Sequence, residues 1–158
     1  MKYIKSKIKA VIFDMDGTII DSEHVWKKVI VDTIKQEGIE LTPTVGVILK
    51  SCFGANLYDV VKKLKTELKL KAPVEILMAK KIALAEQYFQ NVKENEIQFI
   101  KGFQAFHKLL TENQIPTSIA TNSGISVLNH ISTRMNFKQF FGSNIYSAEH
   151  VENKPKPD

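Results

Sequence analysis

Short apolar runs divide the chain at three places. The first, from Ile8 to Phe13, is largely apolar and β-branched and stops at Asp14. A run of this length, closed by a polar residue, predicts a buried strand. Two later runs have the same character, Ile115 to Ala120 and Ile145 to Ser147. The pattern therefore predicts three strands, widely separated along the chain.

The segment between the first two strands has the periodicity of helices throughout. A first helix follows Ser22, which can cap it, and Gly38 ends it. Its apolar positions fall on one stripe, formed by Val25, Trp26, Val29, Ile30 and Ile34. Three more helices are predicted, one after Pro43, one from about Asn56, and one from Pro73 to about Asn91. No strand pattern interrupts residues 22–96.

Beyond residue 96 helices and strands alternate. Apolar positions from Phe103 to Leu110 predict a helix before the second strand, and those from Val127 to Ile131 predict another before the third. Such alternation is typical of a parallel α/β sheet. We therefore predict an α/β fold in which residues 1–21 and 97–158 form a parallel-sheet core and residues 22–96 form an inserted, all-helical domain.

Composition narrows the function classes. The 158 residues are 44% hydrophobic and 25% charged, as in a globular protein. The net charge of +5 includes a single arginine, Arg134, and the lysines are spread out, so we expect solvated surfaces and no specific nucleic-acid site. No apolar stretch approaches the roughly 18 residues of a membrane span, and we expect neither a membrane anchor nor a signal peptide. A single cysteine, Cys52, is consistent with a reducing, cytoplasmic location.

Candidate chemistry lies where the first strand ends. The segment from Asp14 to Thr18 reads Asp-Met-Asp-Gly-Thr, with two carboxylates two residues apart. In open α/β sheets this edge binds ligands. Asp14 would act as a nucleophile and Asp16 as a general acid/base, while the backbone of Met15 and the flexible Gly17 would contact a phosphate group. The competing interpretation is an ordinary Asp-Gly turn.

This segment resembles the first motif of the haloacid dehalogenase superfamily of phosphotransferases. Two later segments agree with it in order: Thr121 and Asn122 end the second strand as the second family motif does, and residues 153–158 resemble the third motif with Asn153 in place of glycine. The resemblance implies that Thr121 binds phosphoryl oxygens, with the Asn122 amide beside it. It also implies that Lys154 neutralises the charge that Asp14 shares with the phosphoryl group.

The resemblance implies a Rossmann-like core with a helical cap, as in the β-phosphoglucomutase-like branch. It further implies a Mg²⁺ ion bound by the side chain of Asp14 and the main-chain carbonyl of Asp16. The expected activity is hydrolysis of small phosphate esters, sugar phosphates among them, through an aspartyl phosphate. Sugar phosphomutases of this branch have a histidine on the first cap helix, where Trp26 stands here. The pattern is therefore more similar to sugar phosphatases of the 2-deoxyglucose-6-phosphatase type.

Two other functions remain open at this point. His24, near Trp26, could replace the missing histidine in a phosphomutase, although an exposed residue in a first helical turn is the simpler interpretation. A non-catalytic interaction module is the other alternative. It is favoured by the basic surface and by the absence of the family's fourth motif, an acidic pair that completes the Mg²⁺ site, since the sequence stops at Asp158 before that motif.

We expect the sequence to be a fragment of a longer chain, with a core incomplete at its C-terminus. The strand that carries Asp14 would then lack one neighbour and expose an edge. Weak Mg²⁺ binding and poor turnover are expected for these 158 residues. The sequence does not indicate an oligomeric state.

Overall fold

The computed structural model describes residues 8–52, 55–93 and 95–151. Its helices and strands, in chain order, are β1 (Val11–Phe13), α1 (Glu23–Lys35), α2 (Pro43–Lys50), α3 (Leu57–Glu67), α4 (Val74–Asn91), α5 (Phe103–Glu112), β2 (Thr117–Thr121), α6 (Ile125–Arg134), α7 (Phe137–Phe141), β3 (Ile145–Ser147) and a 3₁₀ turn (Ala148–Val151). This is the α/β fold that the sequence predicts. Within the described residues, no helix is long and apolar enough to cross a membrane.

The chain forms two compact units. The sheet unit comprises Met1–Glu23 and Val92–Asp158, and the helical unit comprises His24–Asn91. The boundaries expected at residues 22 and 96 lie close to these limits.

The three strands form one parallel sheet in the order β1-β2-β3. Phe13 at the end of β1 pairs with Ile119, and Thr121 at the end of β2 pairs with Ser147. Strand β2 begins only after Pro116, whose ring nitrogen has no proton to donate, although the Pro116 carbonyl accepts the Val11 amide at 2.9 Å. All three predicted strands are therefore confirmed, with β1 starting later than expected.

Strand β1 lies at an edge of the described sheet, as expected. The expectation that the whole strand is buried is wrong, however, because Ile12 is 70% exposed while Phe13 is buried. Successive side chains of a strand point to opposite faces, so one face of β1 is covered and the other is open. Ile8, just before the strand, is also exposed.

Aromatic rings fill the core of the sheet unit. The Phe13 ring meets those of Phe103 and Phe141 edge to face, with centroids 5.6 and 5.8 Å apart. Phe141 belongs to α7, a helix too short for its periodicity to be recognised in the sequence. Phe106, on the same helix, is 46% exposed, and its ring meets that of Phe13 edge to face with centroids 6.0 Å apart. Each buried ring of this size contributes about 1.5–3 kcal/mol through removal from water.

The helical unit is built from α1 to α4, as the sequence predicts. Thr42 caps α2 through the Val45 amide at 3.3 Å, and Asn56 caps α3 through the Asp59 amide at 3.0 Å. Both caps satisfy amides that a helix leaves unpaired in its first turn. The buried core of this unit consists of Ile30, Ile34, Val45, Leu49, Cys52, Val60, Val61, Leu64, Leu70 and Leu77.

Candidate functional site

The carboxyl ends of the three strands meet at one edge of the sheet. Asp14, Asn122 and Ala148 directly follow β1, β2 and β3. Because the strands are parallel, these three residues lie at the same edge of the sheet. Polar residues from segments far apart in sequence are thereby brought to the same edge. This is the edge at which open parallel sheets bind ligands.

The loop after β1 is a tight turn organised around one carbonyl. The Met15 oxygen accepts the amides of Ile19 at 2.9 Å and Ile20 at 3.2 Å, and the Met15 side chain is fully buried. Gly17 has φ 73°, a left-handed conformation that favours glycine, and its amide donates to the Ile20 carbonyl at 2.9 Å. The Gly17 amide is thus already hydrogen-bonded within the turn. The contact predicted between Gly17 and a phosphate group stays a prediction, and this hydrogen bond gives it no support.

The carboxylate of Asp16 is held on both oxygens. The Ser22 hydroxyl donates to Oδ1 at 2.5 Å, and the Ser123 hydroxyl donates to Oδ2 at 2.6 Å. Ser22 is fully buried and Ser123 nearly so, whereas Asp16 is only half-buried. Asp16 therefore links the loop after β1 to the segment after β2.

The segment after β2 is itself fixed by hydrogen bonds. Thr121 is buried at the last position of β2, and its Oγ1 accepts the Ser123 amide at 3.1 Å. On the other side, the Ser147 hydroxyl donates to the Ser123 carbonyl at 2.7 Å. Ser123 is thus held from its own strand and from β3, which leaves its hydroxyl directed at Asp16.

A carboxylate from the 3₁₀ turn caps helix α6. Gly124 precedes this helix and has no side chain to cap it, and Glu149 Oε2 accepts the Ile125 amide at 3.1 Å instead. A methyl group on Gly124 would place its Cβ 2.8 Å from Glu149 Oε1. The glycine therefore gives the carboxylate room to reach the helix N-terminus, where a negative charge is stabilising.

The remaining predicted residues fall as follows. Asp14 is half-buried directly after β1, and Asn122 is half-buried directly after β2. The predicted approach of Lys154 and of the third motif lies outside the described residues. The roles expected for these residues stay predictions.

The donor chemistry at this edge suits Mg²⁺. This ion prefers oxygen ligands and is commonly held by one or two carboxylates, with water and substrate phosphate supplying the rest. Asp14 offers side-chain oxygens, and Asp16, two residues further on, offers a main-chain carbonyl oxygen. Within the described ranges, groups of three or more histidine, cysteine or carboxylate side chains able to hold a metal ion are absent. The Asp14 carboxylate and the Asp16 main-chain carbonyl are therefore the donor set to be tested.

Trp26 serves packing in the helical unit. Its ring lies against Phe89, with centroids 5.0 Å apart, and the Lys81 ammonium sits 4.7 Å from the ring centroid. Lys81 is buried, and a cation over an indole face is a favourable way to bury it. His24 lies half-buried in the first turn of α1.

Sequence reasoning did not assign a role at this site to Ser123, Ser147 or Glu149, and it treated Ser22 only as a helix cap. Ser22 does immediately precede α1, but its hydroxyl proton is directed at Asp16. A weak signal was available in Thr121, because a threonine hydroxyl can accept the amide two residues further on, which is the Ser123 amide here. Nothing local in the sequence indicates that its hydroxyl meets Asp16, 107 positions away.

Comparisons with known proteins identify relatives of this chain. The sequence model for haloacid dehalogenase-like hydrolases matches residues 11–158. A 6-phosphogluconate phosphatase of Escherichia coli K12 is 26% identical over 156 residues, covering 96% of this chain and 65% of that protein. A phosphoglycolate phosphatase of Yersinia pestis is 25% identical over 150 residues, covering 95% of this chain and 63% of that protein.

A solved structure shows the same fold. The haloacid dehalogenase-like protein of unknown function from Agrobacterium tumefaciens superposes with a TM-score of 0.67 at 23% identity, covering 96% of this chain and 64% of that one. The chain thus spans about two thirds of the length of the proteins it matches.

Proposed function

Because the chain belongs to the haloacid dehalogenase-like hydrolase family, we propose that it is the part of a phosphatase that carries the nucleophile and the general acid/base. The observation that carries this proposal is the placement of Asp14 and Asp16 at the carboxyl edge of a parallel sheet, with Asp16 held by hydroxyls from two segments. An ordinary Asp-Gly turn does not require that convergence. Paired carboxylates with different surroundings are what a two-step phosphoryl transfer needs.

In the first step, an oxygen of Asp14 attacks the phosphorus of a phosphate monoester. The bond from phosphorus to the alcohol oxygen breaks, and Asp16 supplies the proton that the departing oxygen takes up. In the second step, Asp16 accepts a proton from water as the water oxygen attacks the aspartyl phosphate. The bond from phosphorus to the Asp14 oxygen breaks and inorganic phosphate leaves. Asp14 is then a free carboxylate again, and Asp16 again carries the proton that it donates in the first step.

Phosphoryl transfer depends mainly on positioning and charge neutralisation. The Thr121 hydroxyl and the Asn122 amide would bind phosphoryl oxygens, and Lys154 would compensate their charge. The Asp14 side chain and the Asp16 carbonyl would hold Mg²⁺, which when bound supplies further neutralisation of the phosphoryl oxygens. Every protein group in this scheme other than Lys154 lies in the described part of the sheet unit.

The proposed substrates are phosphate monoesters of small metabolites. The two relatives are named for 6-phosphogluconate and phosphoglycolate, both phosphate esters of small hydroxy acids. Hydrolysis is favoured over phosphomutase chemistry because Trp26 cannot act as an acid or base near neutral pH and packs against Phe89 and Lys81. A soluble, cytoplasmic location is part of the same proposal.

The direct test uses beryllofluoride, which mimics a phosphoryl group on an aspartate. With Mg²⁺ present, beryllofluoride should raise the melting temperature of the wild-type chain, and Asp14→Asn should abolish the shift. Asp21→Asn is the matched control, since Asp21 is an exposed carboxylate in the same segment. Release of phosphate from 6-phosphogluconate, however slow, should fall by roughly a thousandfold or more in Asp14→Asn. A wild-type chain that neither shifts nor releases phosphate would instead support an interaction module.

A further inference from the structure

Two serine hydroxyls converge on the group that handles the proton in the proposed reaction. Their oxygens lie 2.5 and 2.6 Å from the two carboxyl oxygens of Asp16, at the short end of the range for hydrogen bonds between oxygen atoms. Ser22 and Ser123 are 0% and 7% exposed. Both donors are therefore shielded from water, which would otherwise compete for the carboxylate.

The two donors come from different parts of the sheet unit. Ser22 stands just before α1 in the loop that follows β1, and Ser123 follows β2. A carboxylate that accepts a hydrogen bond on only one oxygen can still rotate about its last side-chain bond. A carboxylate whose two oxygens accept hydrogen bonds from two different segments is held in one plane and one position.

The Ser123 donor is supported in turn by β3. Its amide is bound by Thr121 and its carbonyl by Ser147, whose own amide donates to His150 Nδ1 at 2.9 Å. Ser147 Oγ also accepts the Glu149 amide at 3.2 Å. The orientation of Asp16 is thus tied to the ends of all three strands.

We propose that Ser22 and Ser123 are positioning residues that aim the Asp16 carboxyl group at the leaving oxygen. The inference rests on the proposed function, in which Asp16 protonates that oxygen. A proton donor has to stand within hydrogen-bond reach of its acceptor, and a displacement of about 1 Å can cost about a hundredfold in rate. Removing either hydroxyl frees one side of the carboxylate while leaving the Asp14 nucleophile unchanged.

The experiment compares two substrates that differ in their need for the proton. The alcohol of 6-phosphogluconate leaves only when protonated, whereas the phenolate of p-nitrophenyl phosphate leaves without help. We measure release of each leaving group in a single turnover, which reports the first step alone. Ser22→Ala and Ser123→Ala should slow release from 6-phosphogluconate about 10- to 100-fold and release from p-nitrophenyl phosphate much less. KM for 6-phosphogluconate should change little.

Variants that keep a hydroxyl provide the rescue. Ser22→Thr and Ser123→Thr should recover most of the lost rate. The control is Ser132→Ala, which removes the hydroxyl of a half-buried serine near the C-terminal end of α6. The beryllofluoride shift should persist in the alanine variants, because it reports Asp14. Should the alanine variants fail to fold, Ser22→Cys and Ser123→Cys replace them, since a thiol has nearly the same shape and is a weak donor.

The outcomes separate the two proposals. If the wild-type chain releases neither leaving group and does not respond to beryllofluoride, the proposed function fails and this inference falls with it. If the wild-type chain is active but the serine variants slow both substrates equally, or slow neither, the serines have no positioning role and the proposed function stands. A loss confined to 6-phosphogluconate, with rescue by threonine, supports the inference.

Discussion

At the scale of single residues, the burial of His107 affects the stability of the sheet unit. Desolvation lowers the pKa of its imidazole, an effect that a backbone hydrogen bond with Phe140 partly offsets. The ring packs against Phe103 and Phe141, and Nε2 shares a hydrogen bond of 3.1 Å with the Thr117 hydroxyl. The folded protein therefore favours the neutral ring.

Stability should fall in acid for this reason. The unfolded chain binds a proton at His107 near the ordinary pKa of about 6.5, and the folded protein binds it only at lower pH. As the pH drops through about 6.5, the unfolded state takes up more protons and the free energy of unfolding decreases. Urea midpoints measured between pH 8 and 5 should show this decrease.

His107→Gln supplies the comparison, because glutamine does not titrate but can still hydrogen-bond to Thr117. Its stability should depend less on pH over the same interval than that of the wild-type chain. An unchanged pH dependence in His107→Gln would contradict the assignment.

At the scale of elements, the start of α6 depends on a side chain from the 3₁₀ turn. Glu149→Ala removes the acceptor of the Ile125 amide and should cost about 0.5–1 kcal/mol, as loss of a helix cap does. Gly124→Ala should cost a similar amount, because the new methyl group displaces the Glu149 carboxylate. In the Glu149→Ala background, the same glycine substitution should cost much less.

A double-mutant cycle in urea measures this coupling. The backbone at Gly124 has φ −61° and ψ 156°, which alanine adopts freely, so crowding by the carboxylate is the sole expected penalty. Equal costs of Gly124→Ala in both backgrounds would mean that Glu149 does not occupy the position described.

At the scale of the molecule, the strand order leaves β1 at an edge of the described sheet. An edge strand with an apolar, outward side chain is a template for pairing with another chain. Strand β1 is such an edge strand in the described sheet, and the Ile12 side chain on its open face is 70% exposed. We expect the chain to self-associate at high concentration through this strand.

Ile12→Lys should reduce that association, because a charged side chain at an edge opposes pairing. Val47→Lys is the matched control: Val47 is 68% exposed, but it lies on helix α2 and offers no unpaired strand. Sedimentation velocity over a range of concentrations distinguishes them. If both substitutions reduce association equally, general hydrophobicity is the cause and the strand edge is not.

The sequence by itself determined the order and type of nearly every element, because helical and strand periodicities are local. The placement of Asp14 and Asp16 after a strand also follows from a short segment. Helix α7 is not predicted from the sequence, because five residues are too few to show a helical periodicity. The family motifs led to the family, which the match over residues 11–158 confirms.

Tertiary structure alone decided which groups meet. The contact between Ser123 and Asp16, the support of Ser123 by Ser147 and the cap from Glu149 all depend on how the strands align, and no short segment encodes that alignment. Exposure is likewise collective: Ile12 belongs to an apolar run that reads as buried, yet no neighbouring element in the described chain covers it. Periodicity is a property of adjacent residues, whereas burial and convergence are properties of the packed chain, and only packing fixes them.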